Sequence, residues 1–399
     1  MRKSIRLCLS LFLTLTLLSC SAELTEYETP GDIVPPPANK DVSEESESAQ
    51  DNTWLATYTS YIQDTMEKEH IPGLALAIVQ GNETLLAQGF GLRDVESGDP
   101  VTPDTLFHIG STHKSLTSML IATLVDAGLF EWDTPVVEIY PDFALSNPQA
   151  TQEVTLRHLL SMRSGIPDEA EDEIDPEYAA PEDIFIVAGE TPLLGIPGEE
   201  FSYSNLSASL GGYIGVLAAG GSFDDLYEGY ANLLEENVLD PIGMESATVY
   251  ISEARRNPNY AKSYVLEGDS PVLSESYDFE GDALAPSGSL KANVREMALY
   301  ISTQMNSGVA PNGTRVVSEE ALSETWRPYL EEYAMGWEQT TYSGVDMIWH
   351  TGAYDDFASV LGFIPDLETG FVILLNCEEA GEALTEEAPY VLIDTLLER

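Results

Sequence analysis

Apolar residues along this chain recur in two rhythms. Leu55 to Glu69 repeats its large apolar residues at helical spacing and stops before Ile71-Pro72-Gly73, which predicts a helix. Leu74-Ala75-Leu76-Ala77-Ile78-Val79 and Thr84-Leu85-Leu86-Ala87-Gln88-Gly89-Phe90 are short apolar runs flanking the turn-like Gln80-Gly81-Asn82-Glu83. Together they predict a β-hairpin. Thr112 to Ala127 returns to helical spacing and stops at Gly128. From about residue 130 to 330 helices and long loops dominate. Thr155 to Met162, Leu206 to Ala219 and Phe223 to Val238 are predicted helices. So is Asn293 to Met305, where Glu296 follows Asn293 by three residues in an N-cap arrangement. Strand-like runs return at Met347 to Trp349, Ala358 to Ile364 and Gly370 to Asn376, and Glu382 to Glu398 closes as a helix. Strands at both ends with helices between predict an α/β fold. One lobe is built from both chain ends, and a mainly helical lobe is inserted in the middle.

The first residues stand apart from that pattern. Arg2, Lys3 and Arg6 precede an apolar stretch, Leu7 to Leu18, too short to span a membrane and suited to a signal peptide. It ends Leu17-Leu18-Ser19-Cys20, which resembles a bacterial lipobox. The resemblance implies that residues 1–19 are removed and that Cys20 carries a lipid. In a Gram-negative host Ser21 then favours the outer membrane. An ordinary secretory signal with an incidental cysteine is the alternative. Residues 20–52 are acidic, rich in Pro, Ser and Glu, and lack apolar periodicity, so they are expected to be a disordered tether. The folded domain is expected over 53–399.

Composition narrows the classes. The formal net charge is −51, which opposes nucleic acid and anionic lipid surfaces as partners. A saline habitat and a merely acidic extracytoplasmic protein both fit it. Cys377 lies beside the run Phe371-Val372-Ile373-Leu374-Leu375 and reads as a buried structural thiol. No Cys/His cluster has metal-ligand spacing, so no metal is expected.

Three short elements carry candidate chemistry. Ser111-Thr112-His113-Lys114 opens a predicted helix, and positions three apart share a helix face. A lysine can activate a serine as general base once burial or nearby positive potential lowers its pKa. The chain has six lysines, and one of them stands here. A capping Ser with an unrelated Lys is the plainer reading. In Tyr203-Ser204-Asn205 the phenol can relay protons and the amide can hold a lysine or a carbonyl. A core tyrosine and a capping Asn explain the tripeptide as well. In His350-Thr351-Gly352 the glycine allows a ligand close to a strand edge. The N–H of Ala353 just beyond can pair with that of Ser111 as an oxyanion hole. A strand end with a capping His is the alternative.

The order Ser-x-x-Lys, Tyr-x-Asn, His-Thr-Gly resembles the penicillin-recognising serine hydrolases. Within them it is most similar to the branch of class C β-lactamases, DD-peptidases and esterases. Ile71-Pro72-Gly73-Leu74-Ala75, Thr155-Leu156-Arg157-His158-Leu159-Leu160, Ser164-Gly165-Ile166-Pro167, Pro241-Ile242-Gly243-Met244, Ser287-Gly288-Ser289-Leu290 and Tyr333-Ala334-Met335-Gly336-Trp337 extend the likeness over about residues 52 to 399. It implies a β-lactamase/transpeptidase-like fold, an antiparallel sheet flanked by helices, with the cleft between sheet and helical lobe. It further implies that Ser111 is acylated and that Lys114 takes its proton. Tyr203 then serves the leaving group and the deacylating water, and Asn205 orients Lys114 and contacts substrate. His350, Thr351, Gly352 and Ala353 line the substrate site, and no cofactor is needed.

Departures bear on substrate. Relatives that hydrolyse β-lactams usually have Lys where His350 stands, and a partly neutral His anchors a carboxylate less well. Asp355 and Asp356, if turned inward, oppose an anionic substrate; solvated loop acids are the plainer reading. Ser161-Met162-Arg163 replaces a commoner Thr-His-Thr. His113, next to Lys114, points elsewhere on the helix. The expected activity is hydrolysis of a D-amino-acid peptide in the bacterial envelope, followed in order by ester hydrolysis, β-lactam hydrolysis and non-catalytic binding. The expected partners are a small peptide or ester substrate and, through the lipid on Cys20, the membrane.

Overall fold

The first described helix, α1 (Thr53–Lys68), buries Trp54, Tyr58, Ile62 and Met66, a stripe at four-residue spacing. The structure is a computed structural model and describes residues 53–175, 177–275, 279–329 and 332–399. The signal segment, Cys20 and the tether lie outside those residues.

After α1 the chain forms the hairpin β1 (Gly73–Gln80) and β2 (Glu83–Asp94), then the short strands β3 (Asp99–Pro100) and β4 (Phe107–His108). A 3₁₀ turn, Gly110–Thr112, leads into α2 (His113–Asp126). The longer helices of the middle region are α3 (Asp183–Glu190), α4 (Asn205–Ala218) and α5 (Leu226–Leu234). A small hairpin, β5 (Tyr264–Glu267) and β6 (Ser270–Leu273), precedes β7 (Lys291–Ala292), α6 (Val294–Met305) and α7 (Glu319–Trp326). The chain returns through β8 (Glu338–Tyr342), β9 (Val345–Tyr354), β10 (Phe357–Ile364) and β11 (Thr369–Leu375), and ends in α8 (Glu378–Leu397).

One seven-stranded sheet has the order β3-β2-β1-β11-β10-β9-β8, and its pairings are antiparallel. The first long strand lies against the last, with Ala77 opposite Val372. Both chain ends therefore build the sheet, as the two sets of apolar runs predict. β1, β10 and β11 are buried at almost every position because both faces are covered. Leu74, Leu76, Ile78, Val360 and Ile373 face α1 and α8. Ala75, Ala77, Leu361, Val372 and Leu374 pack toward Met119 of α2 and Met297 and Ile301 of α6. Each such Leu or Ile contributes about 1.5–3 kcal/mol when fully buried.

Several local expectations are corrected. The helix expected from Thr112 begins as the 3₁₀ turn, and regular α geometry starts at His113. The Phe223–Val238 segment is a 3₁₀ turn, then α5, then a π turn over Glu235–Leu239. Asn293 caps α6 by accepting from Glu296 N at 2.9 Å, but the Glu296 carboxylate accepts from Ser246 N at 2.7 Å. A tertiary donor has displaced the reciprocal half of the capping box. β8 and the β5–β6 hairpin were not expected. β8 alternates polar residues on an edge and carries little apolar signal. Cys377 is fully buried just before α8, as a structural thiol should be.

Candidate active site

Ser111 sits in the 3₁₀ turn and Lys114 in the first turn of α2, so the predicted shared face forms. Lys114 Nζ lies 2.8 Å from Ser111 Oγ, 2.6 Å from Asn205 Oδ1 and 3.0 Å from the Ser287 carbonyl. It also lies 4.8 Å from the centre of the Tyr203 ring. The lysine is 1% exposed. Burial lowers its pKa from 10.5 to about 7, against the opposing pull of Glu171 and Asp168.

The plainer readings of these residues do not describe the geometry. No side chain caps the start of α2, so Ser111 is not a cap. Ser204, not Asn205, caps α4, accepting from Ser207 N at 3.2 Å. Asn205 is thereby left to reach Lys114. Tyr203 is half-buried, and burial raises its pKa above the usual phenol value despite a hydrogen bond with Ser111. The segment that departs from the family pattern supports this corner. Met162 accepts from Ser202 N at its carbonyl (3.0 Å) and from Ser204 N at its sulfur (3.4 Å).

His350, Thr351, Gly352 and Ala353 lie on β9 and pair with Leu361, Val360, Ser359 and Ala358 of β10. On the other side β8 pairs only as far as Trp349. The glycine has a different use from the one expected. A Cβ on Gly352 would lie 2.4 Å from the Ile109 carbonyl and 2.9 Å from Thr112 N. What approaches the strand there is the chain's own Ser111 turn. Gly110, at φ +52°, answers from the other side: a Cβ on it would lie 2.6 Å from the Ala353 backbone. The two glycines let turn and strand touch backbone to backbone.

His350 is 2% exposed. Its Nδ1 faces the Thr351 carbonyl, which can only accept, so Nδ1 carries the proton. Nε2 is then the acceptor for the Tyr333 hydroxyl at 3.1 Å. Burial first, then the Lys114 charge, lowers the His350 pKa to about 4. The imidazole is neutral near pH 7 and both nitrogens are engaged. His113 is also buried, with Nε2 2.9 Å from Tyr230 Oη and its pKa depressed to about 3 by burial, so it belongs to the core as expected.

Ser111 and Ala353 line two cavities. One, about 420 Å³, adds Tyr203, His350 and the carboxylates of Glu338, Glu378, Glu382 and Glu386. The other, about 480 Å³, adds Asn205, Ser287, Glu171 and Asp172. Asp355 and Asp356 line neither. They form the β9–β10 turn at φ +54° and +62°, and Asp356 accepts from Ser274 Oγ. They are acids of a loop, the plainer of the two readings, and the acids that line the cleft come from other segments. Sequence reasoning missed the roles of Ser287, which contributes a main-chain carbonyl, and of Glu171, which lies in an otherwise uninformative acidic run.

Residues 59–395 match the family model described as Beta-lactamase. The chain belongs to the beta-lactamase family. Among curated members and relatives, unguisins hydrolase of Aspergillus campestris is 26% identical over 86% of this chain and 65% of its own length. Protein flp of Staphylococcus aureus is 27% identical over 79% of this chain and 61% of its own. This beta-lactamase family chain therefore spans somewhat under two thirds of those relatives. Among solved structures, the octameric penicillin-binding protein homologue from Pyrococcus abyssi is 25% identical, with a TM-score of 0.72 over 85% of this chain and 77% of that one.

Proposed function

We propose that this protein is a serine hydrolase working through an acyl-enzyme on Ser111. D-amino-acid peptides of the bacterial envelope are the first substrate class and short acyl esters the second. One observation carries the reading. Asn205 Oδ1 and the Ser287 carbonyl are pure acceptors, so a neutral Lys114 gives its two N–H groups to them and turns its lone pair to Ser111 Oγ. With a pKa of about 7, much of the lysine is in that neutral form at neutral pH.

The steps follow from those contacts. Ser111 Oγ bonds to the substrate carbonyl carbon while its proton passes to Lys114 Nζ. The N–H groups of Ser111 and Ala353 are assigned to the developing oxyanion. Collapse breaks the bond to the leaving group, which takes a proton from the Lys114–Tyr203 pair. The raised pKa of Tyr203 keeps it a phenol, so it donates rather than acts as resident base. Water then attacks the acyl carbon and loses a proton to Lys114; the bond from the acyl carbon to Ser111 Oγ breaks, Oγ takes that proton back, and the acid leaves. The hydrolase name of the Aspergillus campestris relative agrees with this reaction class.

A neutral, doubly engaged His350 favours the ester reading as second, since an ester needs no carboxylate anchor. The same feature places β-lactam hydrolysis lower. Lipid anchoring through Cys20 at the cell envelope completes the proposal. The test is to incubate the full chain, in detergent, with a fluorescent penicillin and with p-nitrophenyl acetate, beside Ser111→Ala. Stable labelling supports the peptidase reading, and ester turnover without labelling supports the esterase. Wild type and Ser111→Ala behaving alike with both would overturn the proposal.

A further inference from the structure

Ser359 carries the one side-chain hydroxyl of β10, Phe357-Ala358-Ser359-Val360-Leu361-Gly362-Phe363-Ile364, a strand otherwise built of apolar residues. It is fully buried. It shares a face of the strand with Phe357 and Leu361. A buried hydroxyl needs partners, and those of Ser359 belong to the segment that carries Ser111. Ser359 Oγ donates to the Ile109 carbonyl at 2.7 Å and lies 3.1 Å from Thr112 Oγ1. Thr112 Oγ1 donates to the same carbonyl at 2.7 Å. A carbonyl oxygen has two lone pairs, so that of Ile109 can take both hydroxyls at once.

In the β9–β10 ladder Ser359 stands opposite Gly352. A Cβ on Gly352 would lie 2.6 Å from Ser359 Oγ. The hydroxyl reaches the turn through the space that the missing side chain leaves. What it reaches is the first of two fixed peptide planes. The Ile109–Gly110 peptide is held at its carbonyl by the two hydroxyls and at its N–H by His108 Nδ1, 3.3 Å away. The Gly110–Ser111 peptide accepts at its carbonyl from the His113 N–H. That second peptide supplies the Ser111 N–H. Gly110 joins the planes at φ +52° and has no side chain to limit rotation between them. The tethers at either end therefore set where the Ser111 N–H points.

Resting on the acyl-enzyme reading, we propose that Ser359 is a positioning residue of the reaction: through the Ile109 carbonyl it aims the Ser111 N–H at the oxyanion. It lines neither cavity beside Ser111 and acts only through the turn. Its main chain pairs with Gly352, next to Ala353, while its side chain holds Ile109. One residue thus links the strand that bears one oxyanion donor to the turn that bears the other. Donors aimed before the charge develops need no rearrangement in the transition state.

p-Nitrophenyl acetate and its thiono counterpart, in which sulfur replaces the carbonyl oxygen, test it. Sulfur is larger and a weak acceptor, so well-aimed donors favour the oxygen ester. The readout is the oxygen-to-sulfur ratio of kcat/KM for the full chain in detergent, set against the same ratio for hydroxide. Wild type is expected to exceed hydroxide by about tenfold or more. Ser359→Ala is expected to lower the ratio about fivefold. Ser359→Thr keeps the hydroxyl and is expected to keep the ratio. Val360→Ala, a core change on the opposite face of the same strand, is expected to lower the melting temperature and leave the ratio alone. If Ser359→Ala does not fold, Ser359→Cys, with its weak S–H donor, carries the same expectation. A ratio unmoved by loss of the hydroxyl overturns the proposal. So does an equal fall in Val360→Ala or Ser359→Thr, or a wild-type ratio no higher than that of hydroxide. Each of those results still leaves turnover dependent on Ser111, and the acyl-enzyme reading intact. If wild type turns over neither ester faster than Ser111→Ala, that reading has failed and the role of Ser359 falls with it.

Discussion

Gly352 lies so close to Ile109 that a single added carbon would sit 2.4 Å from the Ile109 carbonyl. This contact seats the turn bearing Ser111 against β9. Gly352→Ala must push turn and strand apart. The expected cost is about 1–3 kcal/mol of stability and at least a tenfold loss of ester turnover, because Ser111 and Ala353 no longer share one edge. Thermal unfolding and kcat measured together check it. A variant of unchanged kcat would show that the contact does not position the nucleophile.

Lys114→Ala removes the proton acceptor of Ser111 and leaves Asn205 Oδ1 and the Ser287 carbonyl without their donor. Acylation is expected to slow by about 10²–10⁴-fold, the range of general-base catalysis. Burst kinetics with p-nitrophenyl acetate measure the acylation step. Retention of more than a tenth of the wild-type rate would place the base elsewhere.

The pH profile follows from the same residue. Lys114 titrates at about 7 in the folded protein, and only its neutral form accepts a proton. kcat/KM should therefore rise with pH through about 7 and reach a plateau. Glu171 is the largest influence holding that pKa up, so Glu171→Gln should move the rising limb to lower pH. A limb that stays put or moves upward contradicts this coupling.

Tyr333→Phe leaves His350 Nε2 buried without its donor. A loss of about 1–3 kcal/mol is expected at pH 7. The lost bond favours the neutral ring, so the His350 pKa should rise from about 4 toward its unfolded value of 6.5. In wild type the unfolded state binds the extra proton between those values, and stability falls as pH drops from 6.5 through 4. The variant shares less of that fall, so the difference between the two proteins shrinks as pH is lowered. Denaturant unfolding at pH 7 and pH 5 checks the sign, and a gap that widens at pH 5 refutes it.

Much of the fold was legible because it rests on local periodicity. The apolar runs at 74–79, 358–364 and 370–376 mark strands buried on both faces, and the helical spacing after Thr112 marks α2. β8 was not legible, since an edge strand with polar residues carries no such pattern. Within the site, the spacing of Ser111 and Lys114 already placed them on one face. That Ser204 rather than Asn205 caps α4 is a matter of backbone angles that composition does not encode.

The sequence by itself determined the order of the candidate chemistry, the two-ended sheet and the strongly acidic balance. Those follow from residue type, spacing and charge, which are properties of the chain as a line. Only the tertiary structure decided that Lys114 is buried enough to lose its proton near neutral pH. It alone showed that Gly352 makes room for a turn rather than a ligand, and that burial beside Lys114 keeps His350 neutral. It also left Asp355 and Asp356 in a turn outside both cavities and brought Glu171, Glu338 and the acids of α8 to the cleft. Burial, desolvation and contacts between residues hundreds of positions apart arise when distant segments pack, and no local pattern records them.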